Sequence, residues 1–435
     1  MIKIFKFGGA SIKDAASFQN VGRIVAAHYA QAFDQSQNRL VLIVSALGKT
    51  TNALERVVNA YFAAEEGSEN TAAFELLAEV RANHEAIINQ LFPNGNDLLS
   101  QEINDLLIDI EWIIEEEIRP AYDYVYDQVV SVGELLSTKI LAAVLQAQFG
   151  LPAHWLDARD MIRTDNNFRE AQVDWPTTQA AISQQINALP AKAIALSQGF
   201  IGSTDDNFST TLGREGSDYT AAIFAYCLDA ESLTIWKDVV GVLTADPNVF
   251  ANHAQLLPKI SYQEAIEMTY YGAQVIHPNT LRPLQNNQIP LYVKSFLEPE
   301  NEGTAVMALA DAPKSYPPII VVKKNQALLN ISSLSFHFID EARFAQLFSQ
   351  LAQCRIKTNM IQNTALAFSI VVDYQEDRIA KFVALSENLY KIELQNNLKL
   401  ITLRYASPAL EQEFSAQGQL YLSERIGENT QLLMY

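Results

Sequence analysis

Cysteine, histidine and basic charge are all sparse in this chain. Two cysteines in 435 residues allow one disulfide at most. Cys227 and Cys354 stand far apart in apolar sequence, so we read them as reduced core thiols of a cytoplasmic protein. The six histidines show no metal-ligand spacing, and no Gly-x-Ser-x-Gly elbow presents a nucleophilic serine. Lysine and arginine number 31 against 50 acidic residues, a formal charge of −19. Nucleic acid as a partner would need a basic footprint and is excluded. The N-terminus lacks an apolar signal core. No apolar run approaches the roughly 18 residues of a membrane span, so no membrane is expected.

What is present describes a globular protein of two or three domains, 49% hydrophobic and 19% charged. Residues 2–7 read as a strand running into Gly8-Gly9-Ala10-Ser11, with a helix from Asp14 to Ala32. Leu40–Val44 reads as a second strand, ending in Ser45–Asn52. Repeated strand, glycine loop and helix indicate a parallel α/β sheet. Residues 53–120 read as acidic helices broken at Phe92–Asn96, with Glu115-Glu116-Glu117 as a solvated face, and Tyr124–Gly150 as another helix. Further strands are expected at Ala153–Leu156, Ala193–Ser197, Ser232–Trp236 and Pro290–Ser295, and helices at Tyr219–Leu228 and Tyr262–Ala273.

The segment 297–318, with its glutamates, Gly303, Pro313, Pro317 and Pro318, has linker composition. The expected division is residues 1–299, a linker 300–318, and residues 319–435. In the last part strands (319–331, 365–374, 398–405, 431–434) alternate with helices (341–354, 376–389, 408–414), an α+β module without a titratable cluster.

Several short stretches suit chemistry, each with a plainer alternative. Lys6-Phe7-Gly8-Gly9 sets a cation and two glycines at a strand's end, which fits an anion or simply a tight turn. Gly48-Lys49-Thr50 is no Walker loop, because Ile43 stands where that motif needs glycine. Glu134 sits in an apolar helix and needs a partner, either a substrate ammonium or a structural cation. Asp218 and Asp238 suit magnesium, lysine positioning, or plain capping and turn roles. His277 reads as a turn residue.

Taken together, KFGGAS at 6–11, SALGKTTN at 45–52, GELLST at 133–138, QGFIG at 198–202, TTLGREGSDYTAA at 210–222, WKDVVGVLTADPN at 236–248 and YGAQVIHP at 271–278 resemble the aspartate kinases, closely over residues 1–300 and loosely beyond. The resemblance implies a three-layer αβα amino-acid-kinase fold with an open, mainly parallel sheet, followed by ACT-like (ferredoxin-like) modules, the second shortened. It implies ATP with Mg2+ as phosphoryl donor and L-aspartate as acceptor, with no separate protein metal site. Aspartate's β-carboxylate is already ionised at pH 7, so no general base is required.

By resemblance Lys6 neutralises the phosphoryl group, Gly8 and Gly9 donate N–H bonds to it, and Asp218 orients Lys6 or the metal. Arg214 takes the α-carboxylate, Ser217 and Thr51 fix the carboxylates, Glu134 takes the ammonium, and Phe200 lines the pocket. Lys237, Asp238, Leu243 and Asn248 contact the nucleotide. Other branches place threonine, tyrosine, arginine and lysine at positions 237, 243, 248 and 274. Glu215 replaces a glycine common in the family, in a loop where φ > 0 is costly for it. A homodimer through the C-terminal region and an amino-acid effector are also implied, although Asn359 replaces an acidic residue of lysine-inhibited relatives. A catalytically dead amino-acid sensor and a same-fold kinase for another acidic amino acid are the alternatives.

Overall fold

The structure, a computed structural model, describes residues 1–32, 38–65, 70–116, 118–273, 276–309, 316–334 and 340–435. Glu117, Gln274 and the Pro313 part of the expected linker lie outside the described residues. Two compact units are present. One comprises Met1–Val242, Leu256–Ile266 and Ile276–Ala310; the other comprises Leu243–Gln255, Glu267–Val275 and Asp311–Tyr435.

The first unit is built on an eight-stranded sheet. Its ten strands, sheet and hairpin together, are β1 (Ile2–Phe7), β2 (Arg39–Val44), β3 (Ala153–Leu156), β4 (Ile194–Gln198), β5 (Ile201–Ser203), β6 (Ser209–Thr211), β7 (Ser232–Lys237), β8 (Lys259–Ser261), β9 (Leu291–Ser295) and β10 (Thr304–Met307). The sheet order is β3-β4-β2-β1-β7-β9-β10-β8, and β5 pairs with β6 in a separate hairpin. Every neighbouring pair in the large sheet is parallel except β9 with β10. A central strand buried on both faces reads as an unbroken apolar run, which is why β2 was legible, while β7 mixes Ser232 and Thr234 with Leu233, Ile235 and Trp236.

Alternation along β1 and β7 assigns the two faces. Phe5, Phe7 and Trp236 join the large core under the helices Ala15–Ala32, Thr50–Ala63, Thr71–Leu91, Asp97–Glu115 and Val132–Phe149. Phe7 and Trp236 are register partners and stack with centroids 6.0 Å apart. Lys6 and Lys237 take the opposite parity, toward the helix Gly216–Cys227.

Two expectations need correcting. The segment from 300 on is not all linker: β10 belongs to the sheet, and the buried Thr304 hydroxyl accepts from the Val242 N–H (2.8 Å) and donates to the Leu257 carbonyl (2.7 Å). Glutamates around a four-residue strand concealed it. The helical run Tyr122–Phe149 is also apolar and long enough to cross a membrane, yet 83% of its most apolar window is buried inside the protein. It is a core helix, interrupted at Ser131. The helices Trp175–Ala188 and Pro278–Asn286 were not anticipated. Both begin at a capping residue followed by proline, a start signal that sequence alone offers.

In the second unit β11 (Ile319–Ser333), β12 (Thr358–Asn363), β13 (Ala367–Asp373), β14 (Tyr390–Arg404), β15 (Leu420–Ile426) and β16 (Asn429–Met434) form an antiparallel sheet in the order β12-β13-β11-β14-β16-β15. Helices Glu341–Gln353 and Glu376–Ser386 complete β-α-β-β-α-β, the ferredoxin-like arrangement. A shorter repeat follows, made of the end of β14, the helix Pro408–Ser415, β15 and β16. Ile319–Lys323 of β11 pairs with Leu400–Arg404 and supplies its fourth strand.

Trp236 is 1% exposed and packs on Phe5 and Phe7. Trp236→Ala should therefore cost about 3–5 kcal/mol in a urea titration. A loss under about 1 kcal/mol would show that this stack does not anchor the central strands.

Candidate active site

Parallel register brings four loops to one edge. Phe7 pairs with Val44 and with Trp236, and Val44 pairs with Gln198. The segments after β1, β2, β4 and β7 therefore leave the sheet side by side. The chain runs to one side of β1 through β2, β3 and β4, then crosses to its other side at β7. This is a topological switch point, where open α/β sheets bind ligands at strand C-termini.

Asp218 is the centre of the site. It lies in the first turn of the helix Gly216–Cys227, with its side chain 4% exposed. Lys6 Nζ approaches Oδ1 at 2.6 Å, and Lys237 Nζ approaches Oδ2 at 3.6 Å. Burial works to raise its carboxyl, but Lys6 and then Lys237 outweigh that and hold it below the usual carboxylate range. Two ammonium groups against one carboxylate leave a net positive charge at the switch point, which suits an anion.

The turn after β1 is fitted to the turn after β2. A β-carbon on Gly9 would lie 2.6 Å from the Gly48 carbonyl oxygen and 2.9 Å from that of Ala46, so only glycine admits this approach. Gly8 accepts from the Ser11 N–H at 2.9 Å and leads into the short 3-10 turn Gly9–Ile12. The two glycines thus place backbone beside Lys6, as anion binding requires.

Glu134 opens the helix Val132–Phe149 and is 2% exposed. Its Oε1 accepts from the Ala46 N–H at 3.3 Å, while Oε2 has no hydrogen-bond partner. Burial pushes its carboxyl up to about 8, offset only in part by the Ala46 N–H. A buried carboxylate oxygen without a donor points to a cationic ligand group. Between the two readings of Glu134 open from sequence, no lysine or arginine forms an ion pair with it among the described residues, and Lys6 acts on it only through its charge.

The remaining substrate positions fall on neighbouring loops. Gly199 has no room for a β-carbon, which would come within 2.5 Å of the Ser217 β-carbon, so the turn after β4 lies against the start of the Asp218 helix. Phe200 follows with φ +71, its N–H donating to the Thr220 hydroxyl at 2.9 Å. Ser217 is 8% exposed. Arg214 is exposed and has no polar partner among the described residues, so its guanidinium is available. Thr51 is half-buried in the first turn of the helix Thr50–Ala63. Asp238 is exposed in the loop after β7.

Leu243 and Asn248 belong to the second unit, where the Asn248 N–H donates to Asp246 Oδ1 at 2.9 Å. Glu215 does adopt φ +55, contrary to the steric expectation. Its Oε2 accepts from the His277 N–H at 3.0 Å, which ties the loop to the start of the helix Pro278–Asn286. Asp127, a fully buried carboxylate, was passed over in the sequence; its signal is an acid inside an apolar run.

No group of three or more His, Cys, Asp or Glu suited to a metal occurs among the described residues. Asp218 has both oxygens committed to lysines.

A strand-end lysine held by a helix-borne aspartate, on this sheet order, defines a small-molecule phosphotransferase. Residues 1–295 match the amino acid kinase family, and the chain belongs to that family. Its place there is among the aspartokinases. Lysine-sensitive aspartokinase 3 of Escherichia coli (strain K12) is 30% identical over 92% of this chain and 86% of its own length. Aspartokinase 1, chloroplastic, of Arabidopsis thaliana is 30% identical over 85% of this chain, which spans 63% of that protein. The structure of E. coli aspartokinase III in complex with aspartate and ADP (R-state) superposes with a TM-score of 0.81 at 28% identity, covering 100% of this chain and 96% of that one. The same enzyme in complex with lysine and aspartate (T-state) gives 0.79 at 27%, covering 100% and 96%.

Glu134 predicts a pH signature of the ligand-free protein. Its carboxyl rises from an ordinary 4.5 to about 8 on folding, so the folded state holds the proton more tightly. Its contribution to stability is complete below about 4.5 and is lost as pH climbs through about 8. Glu134→Gln should flatten that part of the stability–pH curve. Identical slopes for the two proteins in urea titrations across pH 5–9 would refute the assignment.

Proposed function

We propose that this chain transfers the γ-phosphoryl group of MgATP to the β-carboxylate of L-aspartate. The product, 4-phospho-L-aspartate, is an acyl phosphate at the head of lysine, threonine and methionine biosynthesis. The observation that most supports this reading is Asp218 held between Lys6 and Lys237, with the unpartnered oxygen of Glu134 in the same strand-end region.

The difficulty of the reaction is electrostatic. A carboxylate must approach a polyanion in line, and there is little covalent work for the protein to do. Lys6 and Lys237 meet the charge of the transferring group, and Asp218 keeps both ammonium groups aimed without a reorganisation at the moment of reaction. Backbone N–H groups at Gly8 and Gly9 hold phosphoryl oxygens. Magnesium arrives on the ATP phosphates as part of the substrate, and Asp238 lies within the loop nearest the nucleotide.

Glu134 binds the α-ammonium, Arg214 the α-carboxylate, and Ser217 with Thr51 orients the carboxylates. Phe200 excludes water from the pocket. The first unit is the catalytic domain in this reading, in place of the expected 1–299, because Leu243–Gln255 and Glu267–Val275 fall in the second unit. The ACT-like region carries the homodimer contact and the amino-acid effector site. The protein works in the cytoplasm, consistent with Cys227 and Cys354 being free and buried.

A hydroxylamine trap for acyl phosphate, run with aspartate, glutamate and no acceptor, tests the reading. Aspartate should give hydroxamate and glutamate little. Lys6→Met and Lys237→Met should each lower kcat by about 10²–10³-fold while leaving the circular dichroism spectrum unchanged. Equal hydroxamate from glutamate would move the specificity to another acid. No hydroxamate at all would favour a catalytically dead sensor.

A further inference from the structure

Asp127 has no part in the chemistry described so far, yet it is one of the most confined carboxylates in the first unit. It sits on the helix Tyr122–Val130 at 0% exposure, among the buried Val125, Val129 and Val130. No lysine or arginine forms an ion pair with it among the described residues. Burial pushes its carboxyl up to about 6, opposed first by the hydrogen bonds from Arg169 and Thr211. A side chain kept only to fill this space would be cheaper as an apolar one.

Its oxygens are instead spent on backbone. Oδ2 accepts the Arg169 N–H and the Thr211 N–H, each at 2.9 Å, and Oδ1 accepts the Thr211 hydroxyl at 2.7 Å. Gln128 repeats the pattern one residue on: Nε2 donates to the Ser209 carbonyl at 2.8 Å and Oε1 accepts the Ser209 N–H at 3.1 Å. The helix is thus stitched to β6 at both ends of that strand. At the same edge β6 also receives the Ala171 N–H at the Thr211 carbonyl, 3.0 Å.

What these bonds join matters for substrate. Three residues beyond Thr211 comes Arg214. The Leu212 N–H between them donates to the Phe200 carbonyl at 2.9 Å, so the register of β6 also fixes Phe200. Seven residues beyond Asp127, past the interruption at Ser131, comes Glu134 near the start of the next helix. The ammonium acceptor and the carboxylate donor therefore stand on two separate elements whose relative placement runs through Asp127.

We propose that Asp127 is a positioning residue that sets the distance between Glu134 and Arg214, and so the fit of a short α-amino dicarboxylate between them. This rests on the aspartate-kinase reading above. The required feature is a pair of acceptor lone pairs facing two N–H groups, not the negative charge. An asparagine meets that need: its carbonyl oxygen takes both N–H groups, and its NH2 donates to the Thr211 hydroxyl oxygen, which reverses role.

The test is a graded series, Asp127→Asn, Asp127→Ala and Thr211→Val, read by hydroxamate kinetics and by calorimetric binding of aspartate without nucleotide. Asp127→Asn should keep KM and Kd for aspartate within about threefold of the parent. Asp127→Ala should raise both about 10–100-fold, the scale of a small misplacement, with KM for ATP within about threefold. Thr211→Val, which loses one bond and keeps the two N–H contacts, should fall between them. If Asp127→Ala does not fold, Thr211→Val and Asp127→Asn decide.

A folded Asp127→Ala or Thr211→Val that is merely less stable, with aspartate affinity within about twofold of the parent, overturns the proposal. An equal rise in KM for ATP and aspartate does so too. Failure of the functional reading is distinguishable, because the parent protein would then form no hydroxamate from aspartate.

Discussion

One carboxylate between two ammonium groups is the constraint around which the first unit is arranged. Removing three charges from water is expensive, and mutual attraction recovers that cost only with good geometry. Geometry here comes from three different elements: the ends of β1 and β7 and the first turn of the helix Gly216–Cys227. If any of them shifted, a buried charge would be left without its partner. The same arrangement leaves a surplus positive charge facing the loops, which is the property an anionic donor requires. Stability of the strand ends and readiness for phosphate thus have a common electrostatic origin.

Close backbone approach is the second condition. Gly9 lies against the carbonyls of Gly48 and Ala46, and Gly199 against Ser217, at distances that no other residue allows. These contacts hold the turns after β1, β2 and β4 to one another and to the Asp218 helix. Glu134 reaches the same region from an apolar helix, and one of its oxygens has no donor. An enzyme that joins two negative groups needs fixed dipoles and cations more than it needs a base.

Much of this was legible along the chain. β2 showed as an apolar run, β7 as a short strand before Lys237, and Lys6-Phe7-Gly8-Gly9 as a strand end that carries a cation into a glycine turn. The ferredoxin-like alternation after residue 319 was visible in outline. Misreadings had local causes. β10 is four residues long beside glutamates, too short for its period to register. The helix Pro278–Asn286 was missed because His277-Pro278 was read as a turn and Pro283 stands inside the helix. Glu215 was judged by its charge and its φ penalty, whereas it adopts φ +55 with its carboxylate accepting the His277 N–H.

The order of motifs along the chain, the alternation that sends Lys6 and Phe7 to opposite faces, and the net negative charge are properties of the residues themselves. They determined an α/β fold with glycine turns at its strand ends, because side-chain period and glycine placement are local. The phosphotransferase reading and its candidate residues came from the resemblance of the motifs to the aspartate kinases. Which strand lies beside which is not local. That Lys237 shares Asp218 with Lys6, that Glu134 keeps an empty oxygen, and that Asp127 fastens β6 depend on sheet order and on the contacts of Lys6 with Asp218, Glu134 with Ala46 and Asp127 with Thr211, all 80 or more positions apart. Only folding, which balances burial against hydrogen bonding across the whole unit, decided them.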